Sequence, residues 1–316
     1  MLLFAPKHSA AFATAIAQDL GTSLSPAEER EFDGGEHKMR PLVNVQGQRA
    51  CVVQSLFGEA AASVNDKLCR LLFFVAALKD AGAREVTAAV PYLAYGRKDR
   101  RTQPQDPVTT RYVAALFEAV GLDRILALDV HNEAAFDNAF RCHSIRLEAA
   151  ETFAHELAQT VKDRRIVVAS PDIGGVKRAQ RFGKVLSKQL GCELDVAFVE
   201  KHREHEVVSG ETLVGAVEGS EVIFYDDMIV SGTTVLRAAR AARRNGAARV
   251  HVVATHAAFA PSALQLFQGT DVDRVLVSDS IALPPDFASQ AGERLKVLSV
   301  APLFARALRD LDCEAA

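Results

Sequence analysis

The sequence predicts an α/β protein of two tandem domains, each a mainly parallel sheet flanked by helices. Two observations lead to this fold class: short apolar runs alternate with Ala/Leu-rich helical stretches, and segments of one half recur in the other. Strands that alternate with helices are typical of βαβ units and a parallel sheet covered on both faces. A length of 316 residues also fits two domains, because single cores rarely exceed about 250 residues.

The predicted strands are short apolar runs bounded by polar or glycine-containing turns. In chain order they are Ala50–Ser55, Val86–Val90, Ile125–Asp129, Ile166–Ser170, Leu194–Val199, Val222–Tyr225, Val250–Thr255 and Val275–Ser278. A last helix is predicted over Pro302–Leu311, with its proline in the first turn, where a missing N–H costs nothing.

The two halves of the chain repeat one another. The stretch around Gly82 aligns with the stretch around Gly246, and each glycine stands where a helix C-cap glycine belongs before the next strand. Asp123–Asp129 aligns with Asp273–Asp279, with Asp, Arg, Leu and Asp at matching positions. We therefore predict domains at residues 1–145 and 146–316, and the last helix can close either of them.

Composition excludes several classes of partner. With 37 basic and 40 acidic residues the net charge is −3, which argues against general binding to nucleic acid or to anionic membranes. Apolar runs fall short of the roughly 20 residues of a membrane span, and the first residues lack a signal-peptide pattern. The five cysteines form no CxxC pair, which indicates reduced thiols and a cytoplasmic location.

The strongest functional signal is the segment Val222–Gly246. Asp226 and Asp227 stand at the carboxyl end of a predicted buried strand, where ligands bind in open α/β sheets. The small, hydroxyl-rich loop at residues 231–234 follows, and a helix begins directly afterwards, an arrangement suited to a phosphate. The alternative is an Asp-rich strand end before an N-capping turn, but a cap needs one such residue and not the whole combination.

This segment resembles the phosphoribosyl-diphosphate motif of type I phosphoribosyltransferases. Further segments narrow the resemblance to the ribose-phosphate diphosphokinase family: SPDIGGVKRA (170–179) is similar to SPD-x-GG-x-x-RA, PYLAYGRKDRR (91–101) to PY-x-x-YARQDRR, LDVH (128–131) to DLH, and EFDGGE (31–36) to FSDGE. The resemblance implies two type I phosphoribosyltransferase-like domains. It also implies transfer of the diphosphoryl group of Mg–ATP to the 1-hydroxyl of ribose 5-phosphate, giving 5-phosphoribosyl 1-diphosphate and AMP.

The resemblance assigns substrate-binding residues to both halves. Ribose 5-phosphate would be bound by Asp226, Asp227, Val230, Ser231, Gly232, Thr233 and Thr234. ATP would be bound by the aromatic loop Phe32, Gly34, Gly35 and Glu36 and by the basic loop Arg97, Lys98, Asp99 and Arg100. Arginine forks suit a triphosphate, although a run of charges is more often a solvated loop. In the family the aromatic loop comes from a neighbouring subunit, so a homo-oligomer is implied.

The resemblance also assigns the metal and catalytic residues. His131 and Asp172 would help to place Mg²⁺ on the ATP phosphates, and Asp129 and His131 are expected on one side of a strand end. Lys201 and Arg203 match the catalytic Lys and Arg of the family and would neutralise charge on the transferring group. They lie in a polar stretch, residues 200–211, that we predict to be a loop. The HxxH pattern nearby is a weak metal signal.

The sequence departs from the commoner family pattern at several positions. Val230 occupies the position of an acid in the family, Thr233 that of a glycine and Lys98 that of a glutamine. Asp33-Gly34 replaces Ser-Asp in the aromatic loop, and Phe259–Ala263 lacks the FSG pattern of the family. The chain therefore looks like a divergent branch. Two alternative functions are a catalytically weak regulatory homologue that associates with synthetase subunits, and a phosphoribosyltransferase, which would not bind ATP.

Overall fold

The computed structural model describes residues 1–161, 165–204 and 207–313, with the backbone alone at 201–204 and 207–211. The chain divides into two compact units: unit 1 is Met1–Glu148 with Val300–Ala316, and unit 2 is Ala149–Ser299. Among the described residues, no helix has the length and apolar character needed to cross a membrane.

Unit 1 is built around a five-stranded parallel sheet in the order β1-β4-β5-β6-β7, with β2 and β3 paired as a separate antiparallel hairpin. Its elements are β1 (Leu2–Phe4), α1 (Ala10–Leu20), β2 (Ala27–Glu31), β3 (His37–Pro41), β4 (Arg49–Val53), α2 (Val64–Asp80), β5 (Glu85–Val90), α3 (Thr109–Ala119), β6 (Arg124–Leu128), α4 (Glu133–Ala139) and β7 (His143–Leu147).

Unit 2 is built around a seven-stranded sheet in the order β10-β9-β8-β11-β12-β13-β14, parallel except for the pair β9 and β10. Its elements are α5 (Ala150–Thr160), β8 (Ile166–Ser170), α6 (Val176–Leu190), β9 (Asp195–Glu204), β10 (Val207–Val214), β11 (Glu221–Met228), α7 (Thr233–Arg244), β12 (Arg249–His256), α8 (Gln265–Gln268), β13 (Arg274–Ser278), α9 (Pro285–Ala291) and β14 (Leu295–Leu298).

The last helix, α10 (Ala301–Cys313), is part of unit 1. It packs on α1, where Phe304 meets Phe12 edge to face with ring centroids 5.6 Å apart. Arg309 of α10 also donates a hydrogen bond to the carbonyl of Asp19. The chain therefore returns to its first unit after completing the second sheet.

The predicted fold class is confirmed, and every predicted strand is present. The central strands β4, β8 and β12 are almost entirely buried, which explains their continuous apolar runs. Strands without such runs were missed. The hairpin of β2 and β3 is polar and half exposed, and β1, β7 and β14 are short strands at sheet edges. Edge and surface strands bury one face at most, so their sequences carry a weaker signal.

The polar stretch at residues 200–211 was predicted to be a loop, and this prediction is wrong for the described backbone. Residues 200–204 of β9 pair with residues 207–212 of β10 in an antiparallel hairpin. A ladder of backbone hydrogen bonds does not depend on apolar side chains, so a polar composition did not exclude strands here.

Candidate active site

Two acids lie at the carboxyl end of β11 in unit 2, as the sequence predicts. Asp226 and Asp227 are the sixth and seventh residues of this eight-residue strand, and Asp227 is almost fully buried. The Asp227 N–H donates a hydrogen bond of 2.9 Å to Asp226 Oδ1. One guanidinium nitrogen, Arg178 Nη1, donates to both carboxylates, at 3.0 Å to Asp226 and 3.1 Å to Asp227. The acid pair is therefore held by a single cation.

Arg178 reaches the acids because α6 packs directly on β11. Phe182, one helical turn after Arg178, stacks flat on Tyr225 with ring centroids 4.1 Å apart. Residues four apart lie on the same face of a helix, so Arg178 points along β11 towards its carboxyl end. Arg178 is part of the motif at residues 170–179, and the resemblance assigns it no role. Its spacing to Phe182 was the signal that could have identified it.

Burial and the adjacent Asp227 carboxylate raise the pKa of Asp226 to about 7, and the nearby Arg178 offsets this in part. A carboxyl group with such a pKa can accept hydrogen bonds from sugar hydroxyls when ionised and can donate one when protonated. Perturbed carboxyl groups at the end of a parallel sheet are typical of functional sites.

The predicted phosphate loop follows β11 and leads into α7. Gly232 is the N-cap of α7 with φ of +75°, and Thr233 and Thr234 are the first residues of the helix and not loop residues. A Cβ atom at Gly232 would lie 2.9 Å from Leu266 Cγ, so both the backbone angle and the packing require glycine. Val230 and Ser231 are exposed. The N–H groups of the first turn of a helix have no carbonyl acceptor within that helix, which makes this loop suited to an anion.

Asp172 lies in the turn between β8 and α6. Its Oδ1 accepts a hydrogen bond of 3.2 Å from the Gly175 N–H, and its carbonyl accepts one of 2.6 Å from the Ser170 hydroxyl. A Cβ atom at Gly175 would lie 2.6 Å from Ser170 Oγ, so the turn depends on that glycine. The motif SPDIGG is therefore a local structure that fixes the direction of one carboxylate.

In unit 1 the predicted adenine loop is the tip of the hairpin of β2 and β3. The Phe32 N–H donates to the Glu36 carbonyl at 2.8 Å, and Gly34 and Gly35 both have φ near the left-handed region, at 93° and 91°. The Phe32 ring is 40% exposed, and the Arg30 guanidinium lies 4.8 Å from its centroid. The exposed part of the ring is a surface on which a base can stack.

The hairpin is anchored to the core of unit 1 by buried charges. Arg70 of α2 forms an ion pair of 3.8 Å with the buried Glu29 besides one of 2.7 Å with the exposed Glu31, and His37 lies 3.1 Å from Glu29. The side chains of Arg70, His37 and Glu29 are all less than a tenth exposed. Pairs that exclude water hold their geometry more firmly than surface pairs, so the base of the hairpin is rigid beneath its exposed tip.

The predicted ATP residue Lys98 is engaged within its own loop. Lys98 Nζ donates a hydrogen bond of 2.5 Å to Asp106 Oδ2, which also accepts from the Thr102 and Gln103 N–H groups at 2.9 Å. These bonds, that of Lys98 first, hold the pKa of Asp106 well below its usual range. The loop is further constrained by positive φ at Tyr95 (63°) and Gln105 (68°).

Asp99 contacts the residue that follows His131 in the chain, because Asp99 Oδ2 accepts a hydrogen bond of 2.5 Å from the side-chain amide of Asn132. Asn132 also caps α4. The expectation that Asp129 and His131 lie on one side of a strand is wrong. Strand β6 ends at Leu128, and Asp129 has φ of +38°, so strand alternation stops before these two residues.

The site residues thus fall into one group in each unit. Unit 1 brings together the basic loop and the neighbour of His131, and the aromatic loop lies on its hairpin. Unit 2 brings together the acid pair, Arg178 and the phosphate loop. The predicted catalytic residues Lys201 and Arg203 lie on β9, but their side chains fall outside the described part of the structure.

Among the described residues, no three His, Cys, Asp or Glu side chains form a group that could hold a metal ion. The predicted ligands are Asp172, whose carboxylate oxygens are of the kind that Mg²⁺ prefers, and His131, an imidazole and a weaker ligand for it. Each of the two residues offers a single ligand, which suits an ion that takes most of its ligands from substrate phosphates and water.

Two family models match the chain. One, described as the N-terminal domain of ribose phosphate pyrophosphokinase, matches residues 1–121, and the other, described as the phosphoribosyl synthetase-associated domain, matches residues 199–315. The chain is 33% identical to the ribose-phosphate pyrophosphokinase of Fusobacterium nucleatum subsp. nucleatum over 308 residues, which cover 97% of this chain and 93% of that protein. It is 34% identical to the enzyme of the same name from Vibrio parahaemolyticus over 316 residues, covering 99% and 96%.

A solved structure agrees with these relatives. The crystal structure of phosphoribosylpyrophosphate synthetase from Mycobacterium smegmatis superimposes with a TM-score of 0.89 at 29% identity, and the match covers 99% of each chain. The match includes residues of both units.

Proposed function

The chain belongs to the ribose-phosphate pyrophosphokinase family, and we propose that it transfers the diphosphoryl group of ATP to the 1-hydroxyl of ribose 5-phosphate. The products are 5-phosphoribosyl 1-diphosphate and AMP. The observation that supports this most directly is the pairing, at one sheet edge of unit 2, of a half-buried and a buried acid with a hydroxyl-rich loop at a helix N-terminus.

In this proposal, unit 2 binds the sugar phosphate. The 5-phosphate accepts hydrogen bonds from the N–H and hydroxyl groups of residues 231–234, and the ring hydroxyls donate to Asp226 and Asp227. Arg178 keeps the two carboxylates close together against their mutual repulsion. These contacts fix the sugar and leave its 1-hydroxyl available for the transfer.

ATP binds through the aromatic loop and the basic loop of unit 1. Its adenine stacks on Phe32, and Arg97 and Lys98 contact the triphosphate, with Asp99 and Arg100 as a supporting network, because cationic side chains match phosphate oxygens. Mg²⁺ would be held by Asp172 and His131 together with phosphate oxygens, and when bound it supplies charge neutralisation on those oxygens.

The chemical step is an in-line displacement. The oxygen of the 1-hydroxyl forms a bond to the β-phosphorus and its proton passes to water, while the bond from that phosphorus to the oxygen bridging to the α-phosphate breaks and AMP leaves. Lys201 and Arg203 neutralise the charge that builds up on the transferring group, without a covalent intermediate. Positioning and electrostatics account for the rate acceleration.

We further propose that the working enzyme is a cytoplasmic homo-oligomer that acts on small molecules and not on nucleic acid. Phe32–Glu36 supports this, because it presents an exposed aromatic ring on a rigid hairpin, a surface that a neighbouring subunit's nucleotide can use.

The test is a ³¹P NMR time course of the purified protein with Mg²⁺, ATP and ribose 5-phosphate. We expect AMP and a sugar-linked diphosphate, formed only when both substrates are present. ADP with a sugar bisphosphate would show single phosphoryl transfer and overturn the proposal. Absence of turnover with ATP and with every other nucleotide would favour the regulatory homologue instead.

A further inference from the structure

The segment that follows β12 departs from the family pattern, since Phe259–Ala263 lacks the FSG pattern, and the resemblance assigns it no role. In the structure it runs along the phosphate loop. The Ile229 N–H donates to the His256 carbonyl at 3.1 Å, and the Ala260 N–H donates to the Val230 carbonyl at 2.9 Å. The two residues that precede the phosphate loop are thus hydrogen-bonded to this segment.

Ser231 and Gly232 of the loop, and Thr233 at the start of α7, contact the end of the same segment. Gln265, the first residue of α8, donates a hydrogen bond of 3.0 Å from Nε2 to the Ser231 carbonyl. The Thr233 hydroxyl lies 3.4 Å from the same nitrogen. Gly232 packs against Leu266. The divergent segment and the divergent residue Thr233 therefore meet at one side chain, Gln265.

The bond from Gln265 fixes the direction of a peptide group that matters for anion binding. A trans peptide is planar, and its C=O and N–H point in opposite directions. When Gln265 holds the Ser231 carbonyl on its own side, the N–H of Gly232 must point to the opposite side of the loop. A phosphate bound by the loop would be met there by an N–H that is already oriented.

We propose that Gln265 is a positioning residue for ribose 5-phosphate, which presets the Ser231–Gly232 peptide for the 5-phosphate. The inference rests on the proposed function and deepens it. Thr233 is then not a defect of the loop, because its hydroxyl is part of the same contact with Gln265.

The experiment compares Gln265→Leu and Gln265→Glu with Gln268→Leu, an exposed glutamine of the same short helix, as the matched control. Steady-state kinetics give kcat and the two KM values, calorimetry gives the Kd for ribose 5-phosphate, and thermal unfolding reports stability. For Gln265→Leu we expect the KM and Kd for ribose 5-phosphate to rise about 3- to 10-fold, the range of one net hydrogen bond. The KM for ATP and the Tm should stay unchanged.

Gln265→Glu should raise the same constants further, because a carboxylate cannot donate to the Ser231 carbonyl and adds negative charge beside the phosphate. The control Gln268→Leu should match the wild type. A wild-type Kd for ribose 5-phosphate in both Gln265 variants overturns the inference. Equal rises in both KM values with a lower Tm also overturn it, since they indicate a merely structural contact.

The two proposals fail in distinguishable ways. If the wild-type protein binds ribose 5-phosphate and releases AMP while Gln265→Leu keeps full affinity, only the role of Gln265 is lost. If the wild-type protein binds no sugar phosphate by calorimetry, the proposed function and the inference are both overturned.

Discussion

Units 1 and 2 build the starts of their strands in the same way. In unit 1, Asp123 Oδ2 accepts a hydrogen bond of 2.7 Å from the Val86 N–H at the start of β5. In unit 2, Asp273 Oδ2 accepts one of 2.6 Å from the Val250 N–H at the start of β12. A cation completes each site, Lys79 at 2.9 Å and Arg243 at 2.6 Å. The repeat seen in sequence is therefore a repeat of specific hydrogen bonds.

The helices that precede these strands also end alike. Gly82 after α2 and Gly246 after α7 have φ of 85° and 84°, the left-handed conformation in which glycine carries no steric penalty. A Cβ atom would meet Gln46 in the first case and Glu218 in the second, so each glycine also allows a close approach of the preceding loop.

The carboxyl ends of the strands differ. The register of β4 on β5 and of β11 on β12 places Gln54 of unit 1 where unit 2 has Asp226. Gln54 is fully buried, and neither polar atom of its amide has a hydrogen-bond partner among the described residues. The two units thus share the hydrogen bonds at the amino ends of their strands. They differ at the carboxyl ends, where ligands bind in parallel sheets.

Since unit 2 carries the predicted catalytic residues and unit 1 has no counterpart assigned to them, the largest expected effect is on kcat. Lys201→Ala combined with Arg203→Ala should lower kcat about 10³-fold or more, because two cations that neutralise the transferring group are lost. Steady-state release of AMP measures this. Loss of two exposed lysines of α6, in Lys184→Ala with Lys188→Ala, is the matched control and should leave kcat unchanged. Most of the activity surviving in the first variant would contradict the assignment of Lys201 and Arg203.

Asp226→Asn should lower kcat/KM about 10²-fold and raise stability at high pH. The pKa of Asp226 is about 7 in the folded protein and near 4 when unfolded, so its ionisation costs folding free energy above pH 7. The cost shrinks as pH falls from 7 towards 4 and is absent below. Urea unfolding should show a gain of about 1–3 kcal/mol at pH 8 and a smaller one at pH 5.

The equivalent change in unit 1, Gln54→Leu, is the control for that pH dependence. An amide does not titrate, so its effect on the free energy of unfolding should be the same at pH 8 and pH 5. A gain for Asp226→Asn that is larger at pH 5 than at pH 8 would show that the acid pair is not destabilising in its ionised form.

Loss of the aspartate at the strand starts should lower the free energy of unfolding equally in both units. Asp123→Ala and Asp273→Ala should each lower the free energy of unfolding by about 1–3 kcal/mol, because each leaves a strand-start N–H and a cation without their acceptor. Urea unfolding gives both values, with the exposed Asp80→Asn as a neutral comparison. A marked effect from one aspartate and none from the other would mean that the structural repeat is not an energetic one.

The smallest effect concerns the basic loop of unit 1. Asp106→Asn weakens the bond to Lys98 and should raise the KM for ATP about 3- to 10-fold, while the KM for ribose 5-phosphate stays unchanged. Initial rates at varied ATP and varied sugar phosphate separate the two constants. A change in the KM for the sugar phosphate alone would show that this loop binds the sugar phosphate and not ATP.

Local patterns predicted much of the fold and of the candidate site. The buried strands were found because a continuous apolar run is a property of neighbouring residues, and the same holds for Asp226, Asp227 and the loop that follows them. The polar hairpins of β2 with β3 and of β9 with β10 were missed, because backbone pairing leaves little trace in side-chain polarity.

The sequence by itself determined the α/β class, the repeat and the residues at the end of β11. The tertiary structure alone decided what holds them: Arg178 reaches Asp226 across 48 residues of chain, and Gln265 reaches Ser231 across 34. Such contacts depend on which helix packs on which strand, which the spacing of residues along one segment does not encode. The types of functional groups in the site can therefore be identified from contiguous residues, whereas their geometry depends on distant segments that folding brings together.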